Sequence, residues 1–137
     1  MSTSDRFAGK VAVITGGTTG IGRAIARRFV SDGGKIVIGA RHDTLFEEIT
    51  QELGADNCWC QVCDVTNRAQ VDALVQAAYD KFNGFDVMFG NAGINLFKDF
   101  LNVTEEEHAR IVHNNYFGCF NSTQAVSYTH LRAHETL

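Results

Sequence analysis

Four short apolar runs punctuate the chain: Val11-Ala12-Val13-Ile14, Ile36-Val37-Ile38-Gly39-Ala40, Cys58-Trp59-Cys60-Gln61-Val62-Cys63 and Phe85-Asp86-Val87-Met88-Phe89-Gly90. Each is of strand length, and the second is apolar throughout, as a parallel strand covered on both faces tends to be. Between them the apolar positions recur at helical spacing. Ile21, Ile25, Ala26, Phe29 and Val30 share one face, and so do Val71, Leu74, Val75, Ala78, Tyr79 and Phe82. The pattern predicts strands over 10–15, 35–40, 58–63 and 85–90, after a polar lead-in over 1–9. Helices are predicted over 21–31, from Thr44 to about Leu53, from a Thr66 cap to Phe82, and from a Thr104 cap to as far as Val126. Thr44/Glu47 and Thr104/Glu107 both have capping-box spacing. Gly33-Gly34, Gly54 and Asn83-Gly84 stand where helices stop.

Strands alternating with helices at this spacing predict an α/β fold, a doubly wound parallel sheet with right-handed crossovers. Ligands of such sheets bind outside the carboxyl ends of the strands. That edge gathers loops 15–22, 39–43, 64–66 and 90–95, and the candidate chemistry lies there.

The first loop is Thr15-Gly16-Gly17-Thr18-Thr19-Gly20-Ile21-Gly22. A buried strand, a glycine-rich turn and a helix start form an anion-binding device, because free N–H groups and the helix dipole face the ligand. The spacing is G-x-x-x-G-x-G rather than G-x-G-x-x-G. A mononucleotide P-loop is disfavoured, since Arg23 and Ala24 stand where Lys and a hydroxyl residue are needed. An ordinary strand-to-helix turn needs fewer glycines. A dinucleotide is the better reading.

The second strand ends Gly39-Ala40-Arg41-His42, about where the adenosine ribose of a dinucleotide sits. No carboxylate is offered at 40 or 41, and Arg41 can fork onto a 2′-phosphate. The reading is NADP, with NAD possible; the alternative is that Arg41 is solvated and Asp43 takes the ribose. Asp64 ends the third strand. It either accepts from an adenine amino group, with Val65 against the ring, or starts a turn toward Thr66.

Composition narrows the classes. The 137 residues are 45% hydrophobic and 20% charged, with a formal net charge of -4, which fits one globular domain. No basic stripe suggests nucleic acid, and no run approaches membrane-spanning length. With no signal-peptide layout at Met1–Arg6, the expected location is cytoplasmic. Cys60-x-x-Cys63 falls inside a strand, where the two side chains point to opposite faces, so both read as core rather than as a metal or redox pair. His130 and His134 share an i,i+4 spacing but lack a third ligand, so no metal site is expected.

Thr15-Gly-x-x-x-Gly20-Ile21-Gly22, Asp64-Val65, Asn91-Ala92-Gly93-Ile94 and Asn115-Tyr116-Phe117-Gly118-Cys119-Phe120, in register, resemble the short-chain dehydrogenase/reductase family. The resemblance covers about Lys10 to Val126 and implies a Rossmann-type sheet. By position it implies that Gly16, Gly20 and Gly22 shape the pyrophosphate turn. Thr18 and Thr19 match cofactor-contacting positions, and Ile21 matches one on the nicotinamide side. Asp64 and Val65 would hold the adenine. Asn91, Ala92 and Gly93 would line the adenosine side, with Asn91 also bracing the Thr15 region. Asn115 matches the residue that holds a water in the proton relay. Gly90 departs from the family by replacing a second Asn.

The family's Ser on a fifth strand and its Tyr-x-x-x-Lys do not follow. Tyr128 and Arg132 have the right separation, but no strand precedes them, and arginine cannot tune a phenol as lysine does. The absence of proline fits a chain that stops before the family's Pro-Gly loop. The expected organisation is therefore 1–126 as the NAD(P)-binding half of a single-domain oxidoreductase, truncated after the fourth strand and its helix. Residues 127–137 read as a non-family tail, similar to translated non-coding or adapter sequence. The implied reaction is hydride transfer between NADP(H) and a small-molecule carbonyl or secondary alcohol, absent from this fragment, in an enzyme expected to be a homo-oligomer. The alternative is a non-catalytic dinucleotide-binding or redox-sensing module. Phe97, Phe100 and Leu101 are candidates for a substrate wall, for core or for an oligomer surface.

Overall fold

The computed structural model describes residues 5–134, with side chains as far as Thr129. The His130 and His134 side chains, and residues 135–137 of the expected tail, lie outside the described residues. The order is β1 (Val11–Thr15), α1 (Gly20–Ser31), β2 (Lys35–Ala40), α2 (Phe46–Leu53), β3 (Cys58–Val62), α3 (Arg68–Phe82), β4 (Val87–Phe89) and α4 (Glu105–Val112). A π turn, His113–Phe117, then carries the chain into α5 (Gly118–His134). The four strands form one parallel sheet in the order β3-β2-β1-β4.

Strand periodicity sorts the apolar side chains into two cores, one on each face of the sheet. Ala12, Ile14, Ile36, Ile38 and Cys58 meet Ala26 and Phe29 of α1 and Ile49 and Leu53 of α2. Val13, Val37 and Cys63 meet Val71, Leu74, Val75 and Ala78 of α3 and Ala125 of α5. Ile14, Ile36 and Ile38 are fully buried; each contributes roughly 1.5–3 kcal/mol relative to exposure. Cys60 packs against the first core and Cys63 lies in the second, as strand alternation requires.

Helix starts differ from the sequence expectation in two places. Thr44 does not cap α2: the chain makes a turn closed by Phe46 N–H to Asp43 O at 2.9 Å, and Leu45 takes the N-cap position without a side-chain cap bond. Leu45 packs on the first core, and that burial moves the start inward. Thr66 does not cap α3 either. Its N–H and hydroxyl both donate to Asp64, and Asn67 caps by accepting from Gln70 N at 3.2 Å. The Thr104/Glu107 capping box forms with both of its bonds.

Two residues expected on buried helix faces are exposed: Ile21 is 75% and Tyr79 41% accessible. Ile21 sits in the first turn of α1, beyond the end of the sheet, where no strand covers it. The Tyr79 ring lies edge-on to Phe85.

Candidate functional site

The carboxyl ends of β1, β2, β3 and β4 surround a cavity of about 660 Å³. The glycine turn forms its floor. Thr19 is the extended N-cap of α1, with no side-chain cap bond, and the first helical turn carries no acidic residue. The first amides of α1 are thus left to a ligand at the positive end of the dipole. Gly22 makes this close packing possible: a Cβ there would lie 2.2 Å from Gly16 O and 2.6 Å from Asn91 Nδ2.

Thr18, Thr19, Gly20, Ile21, Gly22 and Gly16 line the cavity, as do Arg41, Val65, Asn91, Ala92 and Gly93. Thus eleven of the fourteen residues singled out from the sequence meet at one surface. The other three, Thr15, Asp64 and Asn115, lie behind it, and each holds a wall in place.

Buried Thr15 ties β1 to the loop after β4. Its hydroxyl oxygen accepts from Asn91 N and Ala92 N, each at 3.1 Å, and donates to Phe89 O at 3.4 Å. Asn91 Nδ2 returns two bonds, to Thr15 O at 3.0 Å and Gly16 O at 3.1 Å.

Asp64 turns toward Thr66. Its Oδ1 accepts from Thr66 N at 2.9 Å and from Thr66 Oγ1 at 2.7 Å. Those bonds, backed by the charges of Arg41 and His113, hold the carboxyl below its ordinary range. Its own N–H donates to Gln70 Oε1 at 2.7 Å.

Asn115 lies in the π turn and clasps the next loop. Ile94 N donates to its Oδ1 at 2.8 Å, and its Nδ2 donates to Ile94 O at 2.9 Å. The same turn brings Gly118 against Val65, where a Cβ would come within 2.4 Å of Val65 Cγ2. Asn121 Nδ2 adds a bond to Val65 O at 2.8 Å. The cavity wall at Val65 is therefore anchored from the helix after the π turn.

Arg41 is exposed at the cavity's rim, beside His42. The other arginines near α2 are committed: Arg23 pairs with Glu48 at 2.5 Å and Glu52 at 2.6 Å, and Arg27 pairs with Glu52. These bonds tie α1 to α2 beneath the rim.

Sequence reasoning missed Thr44, Leu45, Cys63 and Asn114 as lining residues, whereas Ile94 and Asn95 fall in the 90–95 loop it had named. Thr44 and Leu45 were hidden by the displaced helix start. Asn114 is buried next to Asn115, and only the π turn brings it to the cavity. Burial, together with the charge of Asp64, pushes the Cys63 thiol up to about 11, so it is an apolar wall rather than a nucleophile.

A family model for short chain dehydrogenase matches residues 10–135. The chain is 38% identical over 116 residues to an uncharacterized oxidoreductase of Mycobacterium bovis, covering 84% of this chain and 47% of that protein. It is 40% identical over 121 residues to momilactone A synthase of Oryza sativa, covering 87% and 44%. Among solved structures, 3-ketoacyl-(acyl-carrier-protein) reductase from Brucella melitensis complexed with NADH superposes with a TM-score of 0.81 at 38% identity, covering 85% of this chain and 48% of that one. The chain spans about half the length of the relatives it matches.

Proposed function

Because the chain belongs to the short chain dehydrogenase family, we propose that it is the cofactor-binding half of an NADP-preferring oxidoreductase. The reaction of the whole enzyme would be hydride transfer between NADP(H) and a carbonyl or secondary-alcohol carbon of a small molecule. The observation that carries this reading is the α1 N-terminus, uncapped by any side chain and free of acidic residues, opening into a cavity rimmed by Arg41.

The donor set fits a phosphorylated dinucleotide. The amides around Thr19, Gly20, Ile21 and Gly22 would take the pyrophosphate, with the Thr18 and Thr19 hydroxyls beside it. Val65 and the Asn91-Ala92-Gly93 backbone would flank the adenosine. Asp64 would hold that wall in place through Thr66. Arg41 would fork onto a 2′-phosphate, which is what separates NADP from NAD. NAD remains the runner-up, since the Brucella melitensis reductase was solved with NADH. When bound, the nicotinamide supplies or accepts the hydride. Asn115 acts in this reading as a positioning residue: its clasp on Ile94 fixes the π turn near the nicotinamide end, where a relay water would be held.

The general acid or base is proposed to be the Tyr of a Tyr-x-x-x-Lys outside these residues, its pKa lowered by the Lys. Residues 1–126 then form the cofactor-binding half, and α5 runs on from it through residue 134, within the family match over 10–135. We infer that 1–137 alone turns over no substrate, and that the whole enzyme is a cytoplasmic homo-oligomer. No helix among the described residues is long and apolar enough to cross a membrane. Calorimetric titration of 1–137 with NADPH and NADH tests the binding; heat from neither would overturn it. NADPH oxidation by 1–137 with simple ketones, lost in Asn115→Ala, would overturn the inactivity.

A further inference from the structure

Asn114 is only 7% accessible, and it lines the cavity at the carboxyl ends of the strands. Its carbonyl accepts from Gly118 N–H and is spent on the helix. Its side-chain amide has no hydrogen-bond partner among the described residues. The polar side chains around it are committed. Asn115 clasps Ile94, Asn121 donates to Val65 O, and Ser122 Oγ donates to Gly118 O. A buried amide without partners is costly, because it gives up water and gains nothing. Among the described residues no buried side-chain nitrogen or oxygen is both sealed from solvent and unpaired. The Asn114 amide therefore opens into the cavity it lines, and its hydrogen bonds are left for what enters there.

The helix fixes which part of the cavity that is. Gly118 lies one turn after Asn114, and a Cβ there would come within 2.4 Å of Val65 Cγ2. Ser122 and Ala125 continue the same buried face. Asn114 is thus the cavity end of the stripe that packs toward Val65. Cys63 and Val65, from the end of β3, line the cavity with it, and Ala40 and Arg41 come from the end of the neighbouring β2.

Apolar walls grip a base by its faces and distinguish bases poorly; selection comes from polar groups at the base edge. The family resemblance gives that task to Asp64. Here Asp64 accepts two bonds from Thr66 and does not line the cavity. Asn114 stands at the same wall with its donors and acceptor unspent. Resting on the cofactor reading above, which sets the adenosine against Val65, we propose that Asn114 reads the adenine. Its Oδ1 accepts from the 6-amino group, and its Nδ2 donates to an adjacent ring nitrogen. An asparagine amide matches that donor–acceptor pair. The contact supplies binding and base selection and takes no part in hydride or proton transfer.

The probes are whichever of NADPH and NADH binds 1–137 more tightly, and its purine counterpart, the same dinucleotide with hydrogen in place of the 6-amino group. Both are titrated calorimetrically. The parent chain should bind the adenine form about tenfold more tightly, since the purine form leaves Oδ1 unpaired. In Asn114→Ala that preference should vanish: affinity for the adenine form falls by the same factor, and affinity for the purine form changes little. Alanine suits a helix, and far-UV circular dichroism checks the variant. Equal parent affinities for the two dinucleotides would overturn the proposal with no variant needed. So would a preference that survives in folded Asn114→Ala. Both results leave the cofactor reading standing, because the dinucleotide still binds. A parent chain that binds neither NADPH nor NADH would remove that reading and this one with it.

Discussion

Asn91 donates two hydrogen bonds to Thr15 across the carboxyl edge of the sheet. The Thr15 hydroxyl oxygen accepts the Asn91 N–H at 3.1 Å, and the Asn91 side-chain amide donates to Thr15 O at 3.0 Å. They are 76 residues apart in sequence, yet they hold the glycine turn and the β4 loop as one surface. Neither secondary structure supplies these bonds, because both β1 and β4 end here.

Thr15→Val tests that junction. Valine keeps the shape but withdraws the hydroxyl from Ala92 N–H and from Asn91 N–H, of which only the latter keeps a second acceptor, Phe89 O at 2.9 Å. Leaving the part-buried Ala92 donor unpaired costs about 1 kcal/mol, the lower end of the range for a buried group. The urea midpoint should fall accordingly, and NADPH affinity should weaken because the turn is no longer fixed. An unchanged midpoint would mean that water replaces the hydroxyl without cost.

Arg41→Ala should weaken NADPH binding by the loss of a charge-assisted contact, about 1.5–3 kcal/mol, or roughly 10–150-fold. NADH affinity should change little. Parallel titrations with the two cofactors read the difference. Equal losses for both would assign Arg41 a general electrostatic role and remove the case for a 2′-phosphate.

Asp64 predicts an acid-range effect. Thr66 N–H and hydroxyl bonds hold its carboxyl below the ordinary 3.8. A carboxyl depressed on folding stabilises the fold fully above its unfolded value and ceases to do so as pH falls through its folded value. Chemical denaturation of the parent and of Asp64→Asn should therefore differ at neutral pH and converge below about pH 3.8. A gap that persists at pH 2 would assign the effect to lost hydrogen-bond geometry instead of charge.

The glycine turn, the four strands and the apolar helix faces were legible because each rests on local spacing: short apolar runs of strand length, and period 3.6 in the helices. Caps were legible only in part. Thr44 and Thr104 carry the same box spacing, but only Thr104 forms it; burial of Leu45, a tertiary effect, decides the other case. Asp64 left two readings open in the sequence, and the structure gives it the turn to Thr66. Asn114 was hidden because its route to the cavity depends on a π turn that no spacing rule announces. At Cys58 the reverse happened. The Cys60-x-x-Cys63 spacing drew attention to a pair on opposite faces, while the sulfurs that meet, at 3.8 Å, are those of Cys58 and Cys60.

The last prediction concerns association. Among the described residues β4 pairs only with β1, and Val87, Met88 and Phe89 are all half-buried. Beyond β4, Phe97, Phe100 and Leu101 are 95%, 87% and 93% exposed. Tyr116, Phe117 and Phe120 on the π turn and α5 are exposed as well. An open parallel edge next to apolar surface of this kind favours non-specific pairing between chains. Purified 1–137 should therefore elute broadly and above monomer mass, and the mass should rise with concentration. Replacing Phe97, Phe100 and Leu101 together with Ser should shift the chain toward monomer, since all three are solvent-facing and no core is lost. Size-exclusion chromatography with light scattering reads both results. A sharp monomer that melts cooperatively would show that β4 and these aromatics are tolerated in water, and would favour a self-sufficient binding module over half of an enzyme.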